Sequence, residues 1–317
     1  GLTVTEERKE NMAFSTAYVS NRQVAIIRKA DAEKYADVAS MAGANMIAEN
    51  GSAGQSTIEA NEVLSKNKFV AASAQKDALL EVKAGTSDIA VLDYIEEHIH
   101  EGMSTAEIDK IVYDMTTEMG GIPAPLNYEG YPFSVCTSVN DQVCHGFPSE
   151  DVILKAGDII NVDCSTILDG YFSDSSRMFC IGEVSPEKKR LVEVTKECVE
   201  AGLKEVKPWG FLGDMGQAVH DHAYANGYTV VREIGGHGVG LEFHEEPWVG
   251  YNSKRGTEML MVPGMIFTIE PMVNMGKVDI FVDDENDWEV YTEDGMPSAQ
   301  WEIMVLVTED GYEVLSW

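Results

Sequence analysis

The sequence predicts an α+β fold with a mostly antiparallel sheet. Pairs of β-like runs alternate with pairs of helical runs, and no strand-helix-strand unit repeats, which argues against a parallel sheet. Asp169-Gly170 lies between two β-like runs and predicts a two-residue hairpin turn. Ser104 and Glu107 have the spacing of a helical capping box. Both element types are therefore expected in the second part of the chain.

Composition limits the function classes. The 317 residues suffice for two domains, and 54 acidic against 23 basic residues give a formal net charge of -31. A surface this acidic repels phosphate, so direct binding of DNA or RNA is not expected. Five cysteines without CxxC spacing predict reduced thiols. Residues 1–10 lack the apolar core of a signal peptide, and no apolar run approaches the ~20 residues of a membrane span, so a cytoplasmic protein is expected.

The first 72 residues differ in character from the rest. They are polar and rich in Ala, Asn and Ser, and they contain no Cys. Apolar residues at helical spacing predict one helix over 25–48, and the segment 49–56 reads as a loop. No chemistry-bearing pattern occurs here. We therefore expect a partly helical N-terminal extension, residues 1–72, of unknown function, followed by a functional domain at 73–317.

Regular elements are predicted throughout the second region. Helices are expected at 78–100, from Ser104 to about 119 before Gly120-Gly121, at 186–206 and at 213–226. The layout suggests two halves, each with two helices and a β-meander. Strands are predicted at 133–139, 142–146, 158–168, 171–181, 228–234, 265–274, 288–292, 300–308 and 312–316.

The hairpin brings two carboxylates together. With a turn at Asp169-Gly170, Ser165 faces Asp174, and Asp163 becomes a diagonal neighbour of Asp174, roughly 7 Å away. Apolar flanking residues indicate burial, and two buried carboxylates this close repel each other unless a cation lies between them. A divalent metal pair would remove the conflict. An edge hairpin with both Asp side chains in solvent remains the alternative.

Other candidate ligands lie further along the chain. His237 stands among glycines, where neighbouring backbone can approach closely, and Glu270 and Glu302 lie within apolar runs. Taken singly, the histidine is more often structural, and each acid can point outward. Together with the two Asp residues, they form an oxygen-rich set with one imidazole, which suits Mn(II), Co(II), Fe(II) or Zn(II). His145 and His244 are candidates for binding substrate or an oxyanion.

Several segments of residues 73–317 match those of one known family in order, spacing and identity. The first are Asn127-Tyr128-Glu129-Gly130-Tyr131-Pro132 and Val143-Cys144-His145-Gly146. The later segments are Asn161-Val162-Asp163, Gly236-His237-Gly238-Val239-Gly240, Phe243-His244-Glu245-Glu246-Pro247, Thr268-Ile269-Glu270-Pro271-Met272 and Ser298-Ala299-Gln300-Trp301-Glu302. These segments resemble the type I methionine aminopeptidases, metallopeptidases of the pita-bread fold. The resemblance implies a curved, mostly antiparallel sheet flanked by two pairs of helices.

The resemblance implies a role for each matching residue. Asp163 would chelate one of two divalent ions (Co, Mn, Fe or Zn), Asp174 and Glu302 would bridge both, and His237 and Glu270 would hold the other. Glu270 would also shuttle a proton, and His145 and His244 would bind the peptide and stabilise the tetrahedral intermediate. The methionine pocket would consist of Tyr128, Tyr131, Cys136, Phe243 and Trp288, and Asn140 and Ser298 would surround a sodium or potassium ion.

The expected function is removal of the N-terminal methionine from nascent proteins and peptides that have a small second residue. A monomer acting near the ribosome, with no membrane contact, is expected. Three departures from the family pattern leave the ligands intact: Pro125, Gly235 and Ile303. An Xaa-Pro aminopeptidase of the same fold and a non-catalytic peptide-binding protein are the alternatives. The segment from Cys136 to His145 and the aromatic pocket residues argue against the first alternative, and the complete ligand set argues against the second.

Overall fold

The structure, a computed structural model, describes residues 20–31, 34–35, 37–50, 52–72, 75–96 and 99–316. The prediction for residues 1–10 lies outside this range. The chain divides into one unit at Val19–His98 and another at Ile99–Trp317. In the described part of the chain, no helix combines the length and apolarity needed to cross a membrane.

The described residues of the first unit form a four-stranded sheet, two α-helices and three short 3₁₀ helices. Its strand order is β1-β4-β2-β3, and β2 pairs in parallel with both β3 and β4, whereas β1 and β4 are antiparallel. The strands are β1 (Ser20–Ile27), β2 (Asn45–Glu49), β3 (Lys68–Ala72) and β4 (Ile89–Glu96), and the helices are α1 (Ala53–Ala60) and α2 (Gln75–Ala84).

Two helix predictions in this unit are wrong. Residues 25–48 contain the end of β1 and the start of β2, with the short 3₁₀ helices Lys29–Asp31 and Ala39–Met41 between them. Gly43, in a left-handed conformation at φ 82°, lies just before β2. Helix α2 ends before Gly85, at φ 81°, so the predicted helix 78–100 becomes a short helix followed by strand β4. The segment 49–56 is only partly loop, because Ser52 caps α1 by accepting a hydrogen bond from the Gln55 N–H.

The boundary between the units also differs from the predicted one. Strand β4 forms eight residue pairs with β1 and further pairs with β2, so it belongs to the first unit. The division therefore falls after residue 98 rather than after residue 72. The sequence pattern missed this because residues 78–100 contain apolar residues at both helical and alternating spacing.

The second unit contains only antiparallel strand pairs among its described residues, as predicted. They form five small sheets with orders β10-β9-β5, β11-β8-β6, β12-β16-β19, β14-β13-β15-β20-β21 and β17-β18-β7. The first strands are β5 (Ile122–Pro123), β6 (Cys136–Val139), β7 (Gln142–Cys144), β8 (Ile159–Asp163), β9 (Thr166–Leu168), β10 (Tyr171–Ser173), β11 (Ser176–Cys180) and β12 (Thr229–Val230). The remaining strands are β13 (Gly236–Gly238), β14 (Glu245–Val249), β15 (Ile266–Ile269), β16 (Met272–Asn274), β17 (Ile280–Val282), β18 (Val290–Thr292), β19 (Ser298–Gln300), β20 (Ile303–Val307) and β21 (Tyr312–Ser316).

Three α-helices occur in the described residues of this unit: α3 (Thr105–Glu118), α4 (Pro186–Leu203) and α5 (Leu212–Ala225). The capping box of α3 is present, with reciprocal bonds between Ser104 and Glu107. Helices α4 and α5 pack closely because Gly202 lets the side chains of Met215 and Val219 approach its backbone. Their buried faces join β15 and β20 in the main hydrophobic core. Of the first predicted helix pair, 78–100 and 104–119, only the second member forms a helix of this unit, as α3.

Candidate metal and peptide site

The predicted hairpin register is correct from its turn to its base. Asp169 and Gly170 have φ values of 53° and 86°, and Tyr171 pairs with Leu168. Ser165 faces Asp174 and donates a hydrogen bond of 2.7 Å to its carboxylate. The same register continues into β8 and β11, so Asp163 and Asp174 share one face.

These carboxylates line a cavity of about 550 Å³ within the second unit. Among the described residues that line it, none is a Lys or Arg. All five predicted metal ligands and all seven predicted substrate-binding residues reach the cavity. The lining includes Asp163, Asp174, His237, Glu270 and Glu302, together with Tyr128, Tyr131, Cys136, His145, Phe243, His244 and Trp288.

The ligand atoms converge in what we call the carboxylate cluster: Asp163, Asp174, His237, Glu270 and Glu302. One ligand atom from each of Asp174, His237 and Glu302 lies within 4.8 Å of the other two. The Nε2 atom of His237 is 3.6 Å from Asp174 Oδ2 and 3.5 Å from Glu270 Oε1. These separations suit atoms that share an ion.

The electrostatics of the carboxylate cluster favour a cation. Burial raises the pKa of Asp163, Glu270 and Glu302 well above the ordinary range, and the charge of Asp174 raises each of them further. Burial also raises the pKa of Asp174. The Oδ1 atom of Asp163 is buried and has no hydrogen-bond partner among the described residues. An orphaned carboxylate oxygen among repelling acids fits a divalent ion as its missing partner.

Backbone features explain how His237 reaches this cluster. It lies in β13 between Gly236 and Gly238, where a Cβ on Gly236 would approach the Thr268 carbonyl oxygen to 2.5 Å. This confirms the expectation of close backbone approach. The Nδ1 atom of His237 lies 3.0 Å from the Gly238 carbonyl, which requires a proton on Nδ1 and leaves the Nε2 lone pair facing the carboxylates.

Supporting residues hold Glu270, and the sequence interpretation did not single them out. The Thr268 hydroxyl donates to Glu270 Oε1 at 2.6 Å, and the Gln300 amide donates to Oε2 at 3.1 Å. The Glu270 N–H donates to the Tyr251 hydroxyl at 2.6 Å. Thr268 and Gln300 each stand two residues before a predicted ligand on an extended segment. Strand alternation therefore offered a signal for both.

A second set of lining residues forms the aromatic cluster: Tyr128, Tyr131, Phe243 and Trp288, with the thiol of Cys136. Tyr131 and Trp288 meet edge to face at 5.1 Å between ring centroids, as do Tyr128 and Phe243 at 4.9 Å. Burial raises the pKa of the Cys136 thiol well above its ordinary value, so the thiol stays protonated. Aromatic faces and a neutral thiol suit a thioether side chain.

The remaining lining residues adjoin both clusters. His145 adopts φ 58°, and burial lowers its pKa to about 4. His244 keeps an exposed edge, but partial removal from water and the nearby His237 and His145 lower its pKa to about 4. Both rings are therefore neutral at physiological pH and available as hydrogen-bond partners. The lining also includes Pro125, Ser165, Ile234, Gly235, Glu245, Glu246 and Trp248.

Asn140 and Ser298, predicted around a monovalent cation, meet outside the cavity lining. The Ser298 N–H donates to the Asn140 carbonyl at 2.8 Å. The Asn140 side-chain oxygen accepts bonds from the Lys188 ammonium at 2.7 Å and the Ile159 N–H at 3.2 Å. Because both lone pairs of this oxygen are used, a cation here would need other oxygens, such as the Ser298 hydroxyl or backbone carbonyls. The cation itself stays a prediction.

Comparison with known proteins is consistent with this geometry. The profile of metallopeptidase family M24 matches residues 82–309. The chain belongs to metallopeptidase family M24. Metallopeptidases of this family bind divalent metal, in agreement with the carboxylate cluster.

Curated relatives of this M24 metallopeptidase carry one activity in their names. "Methionine aminopeptidase A" of Synechocystis is 44% identical over 74% of this chain and 92% of its own length. "Methionine aminopeptidase" of Rickettsia prowazekii is 40% identical over 76% of this chain and 93% of its own length. These relatives confirm the predicted resemblance.

Solved structures confirm the pita-bread fold. Methionine aminopeptidase from Rickettsia prowazekii superposes with a TM-score of 0.68 at 41% identity, covering 69% of this chain and 88% of that one. The Thermotoga maritima enzyme gives a TM-score of 0.67 at 34% identity, with coverage of 68% and 87%. An X-Pro aminopeptidase from Thermotoga maritima, at 22% identity and a TM-score of 0.53, shares the fold alone.

Proposed function

We propose that this metallopeptidase removes the N-terminal methionine from peptides and proteins, with two divalent ions held by the carboxylate cluster. The observation that carries the proposal is one cavity that joins a metal-ligand set to an aromatic, thiol-lined surface. The first feature suits hydrolysis, and the second suits a thioether side chain. The names of the curated relatives agree with this activity.

The proposed ligand assignment is the one that the family resemblance implies, and the convergence of Asp174, His237 and Glu302 supports it. Asp174 and Glu302 would bridge the ions, Asp163 would complete one site, and His237 and Glu270 the other. Divalent ions bound there would polarise the scissile carbonyl and acidify a water molecule. Whether they are Co, Mn, Fe or Zn depends on supply, since this donor set accepts each of them.

The chain's own residues would bind the peptide and move its protons. Glu270 accepts a proton from the attacking water and returns it to the departing amine as the C–N bond breaks. His145 and His244 donate hydrogen bonds to the peptide oxygen that gains charge. The aromatic cluster holds the methionine side chain, and a preference for a small second residue is part of the proposal because the family resemblance implies it.

The proposal assigns catalysis to the second unit, because all the lining residues belong to it. Action on nascent chains near the ribosome, a cytoplasmic location and a monomeric state remain predictions. The role of the N-terminal residues also stays open to experiment.

A direct test compares hydrolysis of Met-Ala-Ser and Ala-Pro peptides by the full chain loaded with Mn(II) or Co(II). We expect cleavage of Met-Ala-Ser that stops when a chelator removes the metal. Faster cleavage of Ala-Pro would favour an Xaa-Pro aminopeptidase. No metal-dependent cleavage with Mn(II), Co(II) or Fe(II) would favour a non-catalytic peptide-binding protein.

A further inference from the structure

Tyr128 contacts His244 as well as contributing to the aromatic cluster. Its hydroxyl lies 2.9 Å from His244 Nδ1, a contact between residues 116 positions apart in the chain. The two ring centroids are 5.0 Å apart. Tyr128, predicted only as part of the methionine pocket, therefore also contacts His244, which is predicted to bind the peptide oxygen.

The loop around Tyr128 holds its hydroxyl in place. The flanking residues Asn127 and Glu129 both adopt left-handed conformations, with φ values of 67° and 47°. The Tyr131 N–H donates to the Tyr128 carbonyl at 2.8 Å, and the Asn127 N–H donates to the Tyr131 carbonyl at 2.7 Å. Edge-to-face packing on Phe243 fixes the ring from another side. The hydroxyl position is thus set by backbone and packing.

The chemistry of the two partners gives this hydrogen bond a direction. Partial burial and the charges of Glu129 and Glu242 raise the pKa of the Tyr128 phenol, so it keeps its proton. Within the described residues, His244 Nδ1 is the one hydrogen-bond partner found for this hydroxyl. If Nδ1 carried a proton, the phenol proton would lack a protein acceptor. Donation from the phenol to Nδ1 satisfies both groups.

The neighbouring His237 has the opposite arrangement. The two imidazole rings lie 4.2 Å apart between centroids. The Nδ1 atom of His237 faces a carbonyl, which can only accept, whereas that of His244 faces a hydroxyl, which can donate. A cation held by His237 would also disfavour a second positive charge on His244. The Nδ1 atoms of the two adjacent rings therefore have opposite hydrogen-bonding roles.

We propose that Tyr128 is a positioning residue that fixes the tautomer of His244. With Nδ1 occupied as an acceptor, the proton of the neutral ring lies on Nε2, which donates to the peptide oxygen in the cavity. His237, with its proton on Nδ1, presents a lone pair to the metal. This inference rests on the proposed aminopeptidase function for its catalytic consequence, but the tautomer assignment itself does not.

The tautomer is tested by NMR on the full-length, metal-free protein with ¹⁵N-labelled histidine. Long-range ¹H–¹⁵N correlations distinguish protonated from unprotonated ring nitrogens, and the His244→Gln variant assigns the signals. We expect a protonated Nε2 on His244 in the wild type. In Tyr128→Phe, the His244 Nδ1 resonance shifts and a fraction of the Nδ1-protonated form appears. Tyr131→Phe, which removes a hydroxyl bonded to two backbone carbonyls and to Cys136 but not to His244, leaves the His244 pattern unchanged.

Two NMR outcomes would overturn the proposal. One is a wild-type His244 with its proton on Nδ1. The other is a Tyr128→Phe variant in which both His244 ring nitrogens keep their wild-type resonances. The His237 signals serve as an internal check of folding, because their partner Gly238 is untouched by either substitution. Neither outcome depends on enzyme activity, so a failure of the proposed function is recognised separately.

Kinetics of the metal-loaded full chain on Met-Ala-Ser test the consequence. We expect Tyr128→Phe to lower kcat about tenfold, with a smaller change in KM, because the misplaced proton matters most when charge develops on the oxygen. A raised KM at unchanged kcat would limit Tyr128 to side-chain binding and overturn the catalytic part. Tyr113→Phe, on the exposed face of α3, should leave both constants unchanged.

Discussion

The carboxylate cluster and the aromatic cluster line the same cavity but are held in different ways. The acids repel one another, and burial and mutual charge raise the pKa values of Asp163, Glu270 and Glu302. The rings attract one another through edge-to-face contacts, as between Tyr131 and Trp288. One cluster is thus incomplete without a cation, whereas the other is stable by itself. Function and folding stability therefore oppose each other in the first cluster and agree in the second.

Replacing Asp174 by Asn should have the largest effect, because it should lower activity while stabilising the metal-free protein. The amide cannot bridge two ions, so we expect activity to fall about 10³-fold, since bound metal supplies several kcal/mol of transition-state stabilisation. The metal-free variant should nevertheless unfold at a higher temperature than the metal-free wild type, because one repelling charge is gone. Activity assays and thermal unfolding with and without Mn(II) check both effects. A variant that loses activity and stability together would contradict the repulsion argument.

Lowering the pH should weaken metal binding. In the folded, metal-free protein, the raised pKa values of Asp163, Glu270 and Glu302 let these groups keep protons at a pH where the same groups in the unfolded chain have lost them. The stability from these protons is present at low pH and lost as pH rises through the raised values. Binding must then expel them, so with one proton per ion the affinity should drop about 100-fold from pH 7.5 to 5.5. Titration calorimetry in buffers of different ionisation enthalpy measures the protons released on metal binding. Metal binding without any proton release would refute the ligand assignment.

Replacing Trp288 by Ala should impair the aromatic cluster while sparing the carboxylate cluster. Loss of the ring that packs on Tyr131 removes apolar contact worth about 2 kcal/mol, so kcat/KM for Met-Ala-Ser should fall about 30-fold. Metal affinity should be unchanged. Steady-state kinetics and calorimetry separate the two readouts, and Trp209→Ala, at an exposed position, is the matched control. A loss of metal binding in Trp288→Ala would show that the clusters are not independent.

Replacing Thr268 by Val should have the smallest effect. The substitution keeps the shape but removes the hydroxyl that donates to Glu270 Oε1 and accepts from the His237 N–H. Because such support orients ligands, we expect metal affinity to fall about tenfold. Thr195→Val, which removes a buried hydroxyl bonded to a helix carbonyl, should leave affinity unchanged. Equal metal affinity in wild type and Thr268→Val would exclude the supporting role.

Local patterns predicted much of the second unit correctly. The Asp169-Gly170 turn set a register that reaches Asp163, and the Ser104–Glu107 box set the start of α3. Predictions failed where the spacing of apolar residues fitted both a helix and a strand. The helices predicted over 25–48 and beyond residue 84 were wrong because pairing between strands β1, β2 and β4 outweighed local helical preference. The resemblance supplied His237, Glu270 and Glu302, which no local pattern connects.

The sequence by itself determined the hairpin register, the helix caps and, through its motifs, the residues that line the cavity. Only the tertiary structure decided how the β4 segment folds, which groups hold Glu270, and which nitrogen of His244 faces a phenol. The reason is the range of the interactions. Turns and caps depend on residues a few positions apart, whereas the contact of Tyr128 with His244 joins positions 116 residues apart and exists only after packing.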